Sequence, residues 1–357
     1  MKYPIAAFGL ATLAPVLLLG MAAASGGVWI AVACAYLTVG VVQFDALPKI
    51  QISPSPDGTA EIGGERLSMI LSVMHFACLF VAVLTISGET FSMAEKIGLF
   101  AAVGLYLGQT SAANAHEMLH RSDPNAASVG RAIYASVLFG HYAAAHQRIH
   151  HRLVATPSDP CTAKPTESFY RFAPRCWFGA LLSGYRAELE AQRLKRPRYT
   201  RLTHPYMVDI GTGLLCLFLA WLIGGGLGCL IYIGLAAFVQ LQILLVAYVQ
   251  HYGLSRSVRP DGTTEPVAPT HAWSAPHWLS GLMMLNLPRH SDHHLRPDAP
   301  FPQLSMPEPD TAPTLPHSLP MMAALALIPV LWRKKMDPLA ELWTERARLR
   351  RVRQDVA

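Results

Sequence analysis

The chain has 357 residues, 52% hydrophobic and only 15% charged, with mean hydropathy +0.29 and formal net charge +6. Soluble domains carry about 25% charged residues, so this composition excludes an ordinary soluble enzyme and indicates an integral membrane protein. The Lys and Arg excess sits in segments that follow apolar runs, a pattern of membrane orientation and not of nucleic-acid binding.

Residues 5–24 form the first apolar run, interrupted by Pro15. Lys2 and the small residues near Ser25 give it the outline of a secretory signal, but a second run, 28–44, follows at once through Gly26 and Gly27. The two read as a transmembrane hairpin, since a span needs about 20 apolar residues. Residues 45–65 are polar and proline-containing and read as a loop. Runs 67–86 and 93–113 are the next spans, turning near Gly88. Residues 117–205 are polar and hold many of the basic side chains; within them 133–139 is too short to span and reads as an interfacial or buried helix. Runs 208–223 and 227–249 form another hairpin through Gly224, Gly225 and Gly226. Residues 253–320 are rich in proline and lack a clear period. The run 321–332 is short and reads as interfacial, and the tail 333–357 is strongly basic.

The expected fold is all-α, a single domain over 1–357 with about six transmembrane helices. The connections 87–92 and 224–226 contain no Lys or Arg. The positive-inside rule therefore puts both termini and the histidine-bearing ends on the cytoplasmic side of the cell inner membrane. The six cysteines form no Cys-x-x-Cys pair, so zinc-ribbon and thioredoxin motifs are absent and no disulfide framework is expected.

Nine of the 15 histidines lie just after apolar runs or between them. They are His116 and His120, His146 with His150 and His151, His251, and His290 with His293 and His294. Spacing of four puts His116 and His120 on one helical face. The same spacing puts His146 and His150 together, with His151 turned about a quarter-turn away. Burying nine imidazoles without partners costs about 1–3 kcal/mol for each unsatisfied group. Metal coordination removes that cost, because neutral imidazole is a good ligand. Zinc closes at four ligands, so nine rings suit two ions with a position left open. Imidazole also suits zinc, copper and nickel, so the residues by themselves define a dinuclear, histidine-rich membrane site and not its metal. Asn114, Glu117, His141 and Asp292 are candidates for orienting the ligands; no catalytic residue beyond the ligands is assigned.

The motifs Asn114-Ala-His-Glu-Met-Leu-His120, His146 to His151 followed by Val154-Ala-Thr-Pro-Ser-Asp-Pro160, His251-Tyr-Gly-Leu254 and Leu287-Pro-Arg-His-Ser-Asp-His-His294 carry a resemblance. They resemble the integral-membrane alkane 1-monooxygenases, a branch of the histidine-box desaturases and hydroxylases. The resemblance implies two non-haem iron ions held by the nine histidines. It implies dioxygen activation and hydroxylation of a terminal methyl on an apolar substrate, most simply an n-alkane. It also implies electrons from rubredoxin and rubredoxin reductase. This chain departs from the family pattern at Ala145 and Gln250, where Glu is usual. A hydroxylase of alkyl side chains on aromatic rings is one alternative, and a lipid desaturase or fatty-acyl hydroxylase another. A zinc protease using His116, Glu117 and His120 leaves six histidines unexplained, and a metal transporter would keep its ligands near the bilayer midplane.

Overall fold

Apolar helices account for most of the chain. The computed structural model describes residues 5–47, 58–195, 204–259, 262–308 and 310–355. Parts of the expected 45–65 loop (48–57) and of the basic segment (196–203) lie outside the described residues. Among the described residues there is no β-strand, only isolated bridges such as Ser274 to Thr314.

Helix α1 is Ile5–Ser25 and α2 is Val28–Asp45, joined at Gly26 and Gly27. Helix α3 is Gly58–Ser87. Helix α4 runs from 93 to 119, with a π-turn at Leu107–Ser111 between Met93–Tyr106 and Ala112–Leu119. Its start is set by Ser92 and Glu95, which cap each other's backbone N–H groups. Glu95 also accepts the Gly27 N–H at 2.9 Å, which fixes the first hairpin against α4.

Among the described residues, four helices are long and apolar enough to cross a membrane: Ile5–Ser25, Val28–Asp45, Ile62–Ser87 and Pro205–His251. Only 22–39% of their most apolar windows is buried inside the protein, so the remaining side chains face outward and suit lipid. The last of these, α8 (Pro205–His251), has 47 residues. At 1.5 Å per residue it would be about 70 Å long if straight, more than twice a hydrocarbon core of about 30 Å. It is not straight: Gly224 and Gly225 leave helical geometry, Gly225 with φ 58° and ψ −143°. That region is open essentially to glycine alone. The chain reverses there, and the Cys229 thiol returns to within 3.8 Å of the Leu217 carbonyl oxygen. The expectation of about six spans counts these two arms separately and adds 93–113.

The polar segments are more helical than their composition implied. Helix α5 is Pro124–Ser136, begun by Asp123 as cap and Pro124 in the first turn. Helix α6 covers 140–153, Gly140–Ala145 passing through a π-turn at His146–His150 into His151–Leu153. Helix α7 is Phe169–Lys195, a long element within the stretch read only as polar. Arg131 on α5 grips Asp209 on α8 through two 2.7 Å hydrogen bonds and Glu188 on α7 at 3.0 Å, and Arg148 adds a 2.9 Å contact to Glu188. These partly buried pairs hold α5, α6, α7 and α8 together beside the histidines. Short helices α9 (Trp278–Met283) and α10 (His290–Leu295) lie in the proline-rich segment. Helix α11 is Leu319–Ala326 and α12 is Pro329–Asp355. Trp332 of α12 is fully buried against Tyr248 and Tyr252, which anchors the basic tail at the His251 end of α8.

Candidate metal centre

The nine histidines come from four separate stretches and meet in one place. His116 and His120 end α4, and His251 ends α8. His146, His150 and His151 lie on α6, and His290, His293 and His294 on α10. They fall into two groups. Ligand atoms of His116, His120, His146, His151 and His293 lie within 4.8 Å of one another, and those of His150, His251, His290 and His294 form the second set. All nine are buried or nearly so.

The division differs from the face-sharing expected on α6. There His146 pairs with His151, their Nε2 atoms 3.0 Å apart, and His150 joins the other group. The π-turn is the cause: its i→i+5 hydrogen bonds bring residues five apart onto one face. On α10, ordinary spacing applies. His290 and His294 bring their Nε2 atoms to 3.1 Å, while His293 points to the five-ring group.

The rings approach in a way that fits a cation between them. Nε2 atoms of His120 and His146 are 3.1 Å apart, those of His151 and His293 3.2 Å, and those of His251 and His290 3.0 Å. Metal–nitrogen bonds of about 2.0–2.1 Å at right-angled to tetrahedral spacing put neighbouring donors about 2.9–3.4 Å apart. The buried Nε2 of His116 has no hydrogen-bond partner among the described residues. Burial, and then the charge of neighbouring rings, holds the imidazoles of His146, His151, His290, His293 and His294 well below their ordinary pKa. The same causes lower His120 to about 4. These six rings are therefore neutral near pH 7, the form that binds metal.

Two rings are oriented from behind. His150 Nδ1–H donates to the buried carboxylate of Asp159 at 2.8 Å. Asp159 also accepts from Thr162 Oγ1 at 2.7 Å and the Cys161 N–H at 3.0 Å. His251 Nδ1 lies 3.4 Å from the His271 carbonyl oxygen. Asp159 was not among the orienting candidates, because its partner lies nine residues back with no periodic signal connecting them.

The candidates that were named make other bonds. Asn114 donates to the Ser68 carbonyl at 3.0 Å and to Ser72 Oγ at 3.1 Å, joining α3 to α4. Glu117 pairs with Arg121 at 2.8 Å and accepts the Phe301 N–H at 3.2 Å. His141 packs edge-on to Trp177 and lines a separate lateral cavity. Asp292 pairs with Arg296 and accepts the Ser305 N–H at 2.7 Å. At the departures from the family pattern, Gln250 donates to the Leu287 carbonyl at 3.2 Å and Ala145 is buried. His75, inside α3, sits between Ser111 and Ser136 hydroxyls at 2.6 and 2.7 Å.

Beside both histidine groups lies a narrow pocket. His116 and His146 reach it from one group and His150, His251 and His290 from the other. Its remaining wall is mostly apolar, including Ala112, Ile243, Val246 and Leu287.

An all-helical chain with spanning helices and two buried polyhistidine groups beside an apolar pocket defines an integral membrane, metal-binding protein. Comparison with known proteins sharpens the class. Residues 96–326 match the fatty acid desaturase family. Alkane 1-monooxygenase 2 of Alcanivorax borkumensis is 30% identical over 301 residues, 82% of this chain and 78% of that protein. Alkane 1-monooxygenase of Pseudomonas putida is 30% identical over 302 residues, 82% of this chain and 73% of its own length. The Acinetobacter baylyi alkane 1-monooxygenase is 33% identical over 264 residues, 73% of this chain and 62% of its length. The chain belongs to the fatty acid desaturase family, in the branch of the integral-membrane alkane 1-monooxygenases, and is an oxidoreductase.

Proposed function

We propose that this protein is a non-haem di-iron monooxygenase that hydroxylates the terminal methyl of an n-alkane. The observation that carries the reading is the apolar pocket that touches both histidine groups. His116, His120, His146, His151 and His293 would hold one iron, and His150, His251, His290 and His294 the other. Iron bound there supplies dioxygen activation. One oxygen atom enters a C–H bond and the other leaves as water, which consumes a pair of electrons and a pair of protons.

The chain's own groups have separate tasks. Asp159 fixes the tautomer of His150 so that Nε2 presents its lone pair. The His271 carbonyl does the same for His251. The pocket wall excludes water and holds a hydrocarbon end against the rings. Apart from the histidines, the described residues that line the pocket are uncharged.

Electrons would come from rubredoxin, reduced by rubredoxin reductase. Exposed Arg171, Arg186 and Arg193 on α7 offer positive charge to an acidic carrier, and such steering weakens with salt. Counting both arms of α8 and residues 93–113 gives six spans, with the histidine ends and both termini on the cytoplasmic face of the inner membrane.

The test is turnover of octane by purified protein with rubredoxin, its reductase and dioxygen. The expected product is the primary alcohol. An alkene as product would favour a desaturase, and activity confined to alkylbenzenes would favour the aromatic side-chain hydroxylase; either contradicts the proposal.

A further inference from the structure

The six cysteines are free thiols, and Cys34, Cys78, Cys216 and Cys229 lie on the spanning helices α2, α3 and α8. The other two meet outside those helices. Cys161, in the loop 154–168 between α6 and α7, and Cys176, on α7, are both fully buried, with their Sγ atoms 3.1 Å apart. The backbone around them is held. Arg175 donates from α7 to the carbonyls of Pro160 at 2.9 Å and Thr162 at 3.0 Å, one on each side of Cys161. Glu167, further along the same loop, accepts from this guanidinium at 2.7 Å. Loop and helix also touch directly: a Cβ added at Gly179 would fall 2.5 Å from Pro160 Cβ. Closing the sulfurs to a bond of about 2.05 Å needs roughly 1 Å of movement.

The pair stands behind the metal centre. The Cys161 N–H donates to Asp159 at 3.0 Å, and Asp159 accepts from His150 at 2.8 Å. Tyr142 lines the histidine pocket, stacks on His146 with ring centroids 5.7 Å apart, and lies close to both thiols. The hydrogen bond from Cys176, and then burial, hold the Cys161 thiol well above its ordinary pKa. A thiol protected in this way reacts slowly and is closed to bulky disulfides. The oxidant that suits it is small, neutral and made nearby. Dioxygen that takes up an electron pair and a pair of protons without reaching a C–H bond leaves as hydrogen peroxide.

We propose that hydrogen peroxide joins Cys161 and Cys176 in a reversible disulfide, and that this bond clasps the Asp159 loop to α7 behind His150. One sulfur attacks the peroxide O–O bond and keeps one oxygen as a sulfenic acid, while the other oxygen leaves as water. The second sulfur attacks the first; hydroxide departs and takes the second thiol's proton, giving water. Two thiols are oxidised and one peroxide is reduced to two waters. An external dithiol reverses the bond by exchange. Disulfides on the cytoplasmic side of a membrane are typically conditional ones of this kind. The source of peroxide and the hold on iron rest on the function proposed above, but the disulfide can be tested with added peroxide on metal-free protein.

The experiment uses the full chain in nanodiscs, as wild type, Cys161→Ala and Cys78→Ala, the last removing a thiol of a spanning helix. Metal-free protein is treated with hydrogen peroxide, unfolded, alkylated and digested, and crosslinked peptides are identified by mass. Wild type and Cys78→Ala should give a Cys161–Cys176 crosslink that dithiothreitol removes. Their thermal midpoints should rise on oxidation by about 5 °C, the scale of one added disulfide. Cys161→Ala should show neither change. In iron-loaded wild type, the oxidised form should release one iron to a chelator several-fold more slowly, within the roughly tenfold that one orienting group contributes. Free, alkylated thiols at both positions after peroxide would overturn the disulfide whether or not the protein proves to be an oxygenase. A crosslink with an unchanged midpoint or unchanged iron release would overturn the clasp. Failure to load iron would count against the proposed function and not against the disulfide. Wild type before and after dithiothreitol decides the question even if Cys161→Ala does not fold.

Discussion

Asp159→Asn tests how the second histidine group is held. Asp159 is buried and accepts three hydrogen bonds, from His150 Nδ1–H, Thr162 Oγ1–H and the Cys161 N–H. Replacement by alanine would strand three donors. At about 1–3 kcal/mol each, the loss of roughly 3–9 kcal/mol is comparable with a whole domain's stability of about 5–15 kcal/mol. The alanine protein would report misfolding and little else. Asparagine keeps the shape and one carbonyl acceptor but removes the charge that makes His150 a stronger donor to metal. Losing a group that orients a ligand costs about 10–100-fold in metal affinity, or about 1.4–2.8 kcal/mol at 1.4 kcal/mol per tenfold. The assay is chelator titration of the iron-loaded protein, with metal measured at each step. We expect one iron, the one at His150, His251, His290 and His294, to leave at about 10–100-fold lower chelator, with the other unchanged. A titration superimposable on wild type would refute the role given to Asp159.

Gly225→Ala should cost about 1–3 kcal/mol of stability and so lower the thermal midpoint, because φ 58° with ψ −143° strains any side-chain-bearing residue; an unchanged midpoint would show that the reversal of α8 does not depend on that conformation. Metal-free protein should lose stability as pH falls below about 6.5, where the unfolded chain's histidines take up protons but His146, His151, His290, His293 and His294, with depressed folded values, do not. The sign follows because the unfolded state then binds more protons, by at most about 1.4 kcal/mol per pH unit for each ring; a thermal midpoint constant from about pH 7 to pH 5 would contradict it. A reporter fused after Ala357 should behave as cytoplasmic, and periplasmic activity of the fusion would break the proposed topology.

The histidines were legible in the sequence because they occur as tight clusters at the ends of apolar runs, which composition and spacing both reveal. How they divide was not legible. Helical spacing of four links His146 to His150, whereas the π-turn links His146 to His151. Nothing in five consecutive residues announces a π-turn. Asp159 was hidden for a related reason: it reaches His150 through a loop, and loop geometry leaves no period. Helix α7 could have been found. Its buried Phe169, Phe172, Cys176 and Ala180 recur every three or four positions, but the charged residues between them give the stretch a polar composition that masks the period. The glycine hairpin of α8 was clear because three consecutive glycines interrupt an apolar stretch too long for one span.

Metal content tests the central claim most directly. Protein purified from iron-supplied cells should contain close to two irons per chain, one for each histidine group. His150→Ala and His293→Ala, which each remove a ligand from a different group, should each lose at least one ion while the polypeptide remains folded. Full iron occupancy in both variants, or a single zinc per chain in the wild type, would contradict the account.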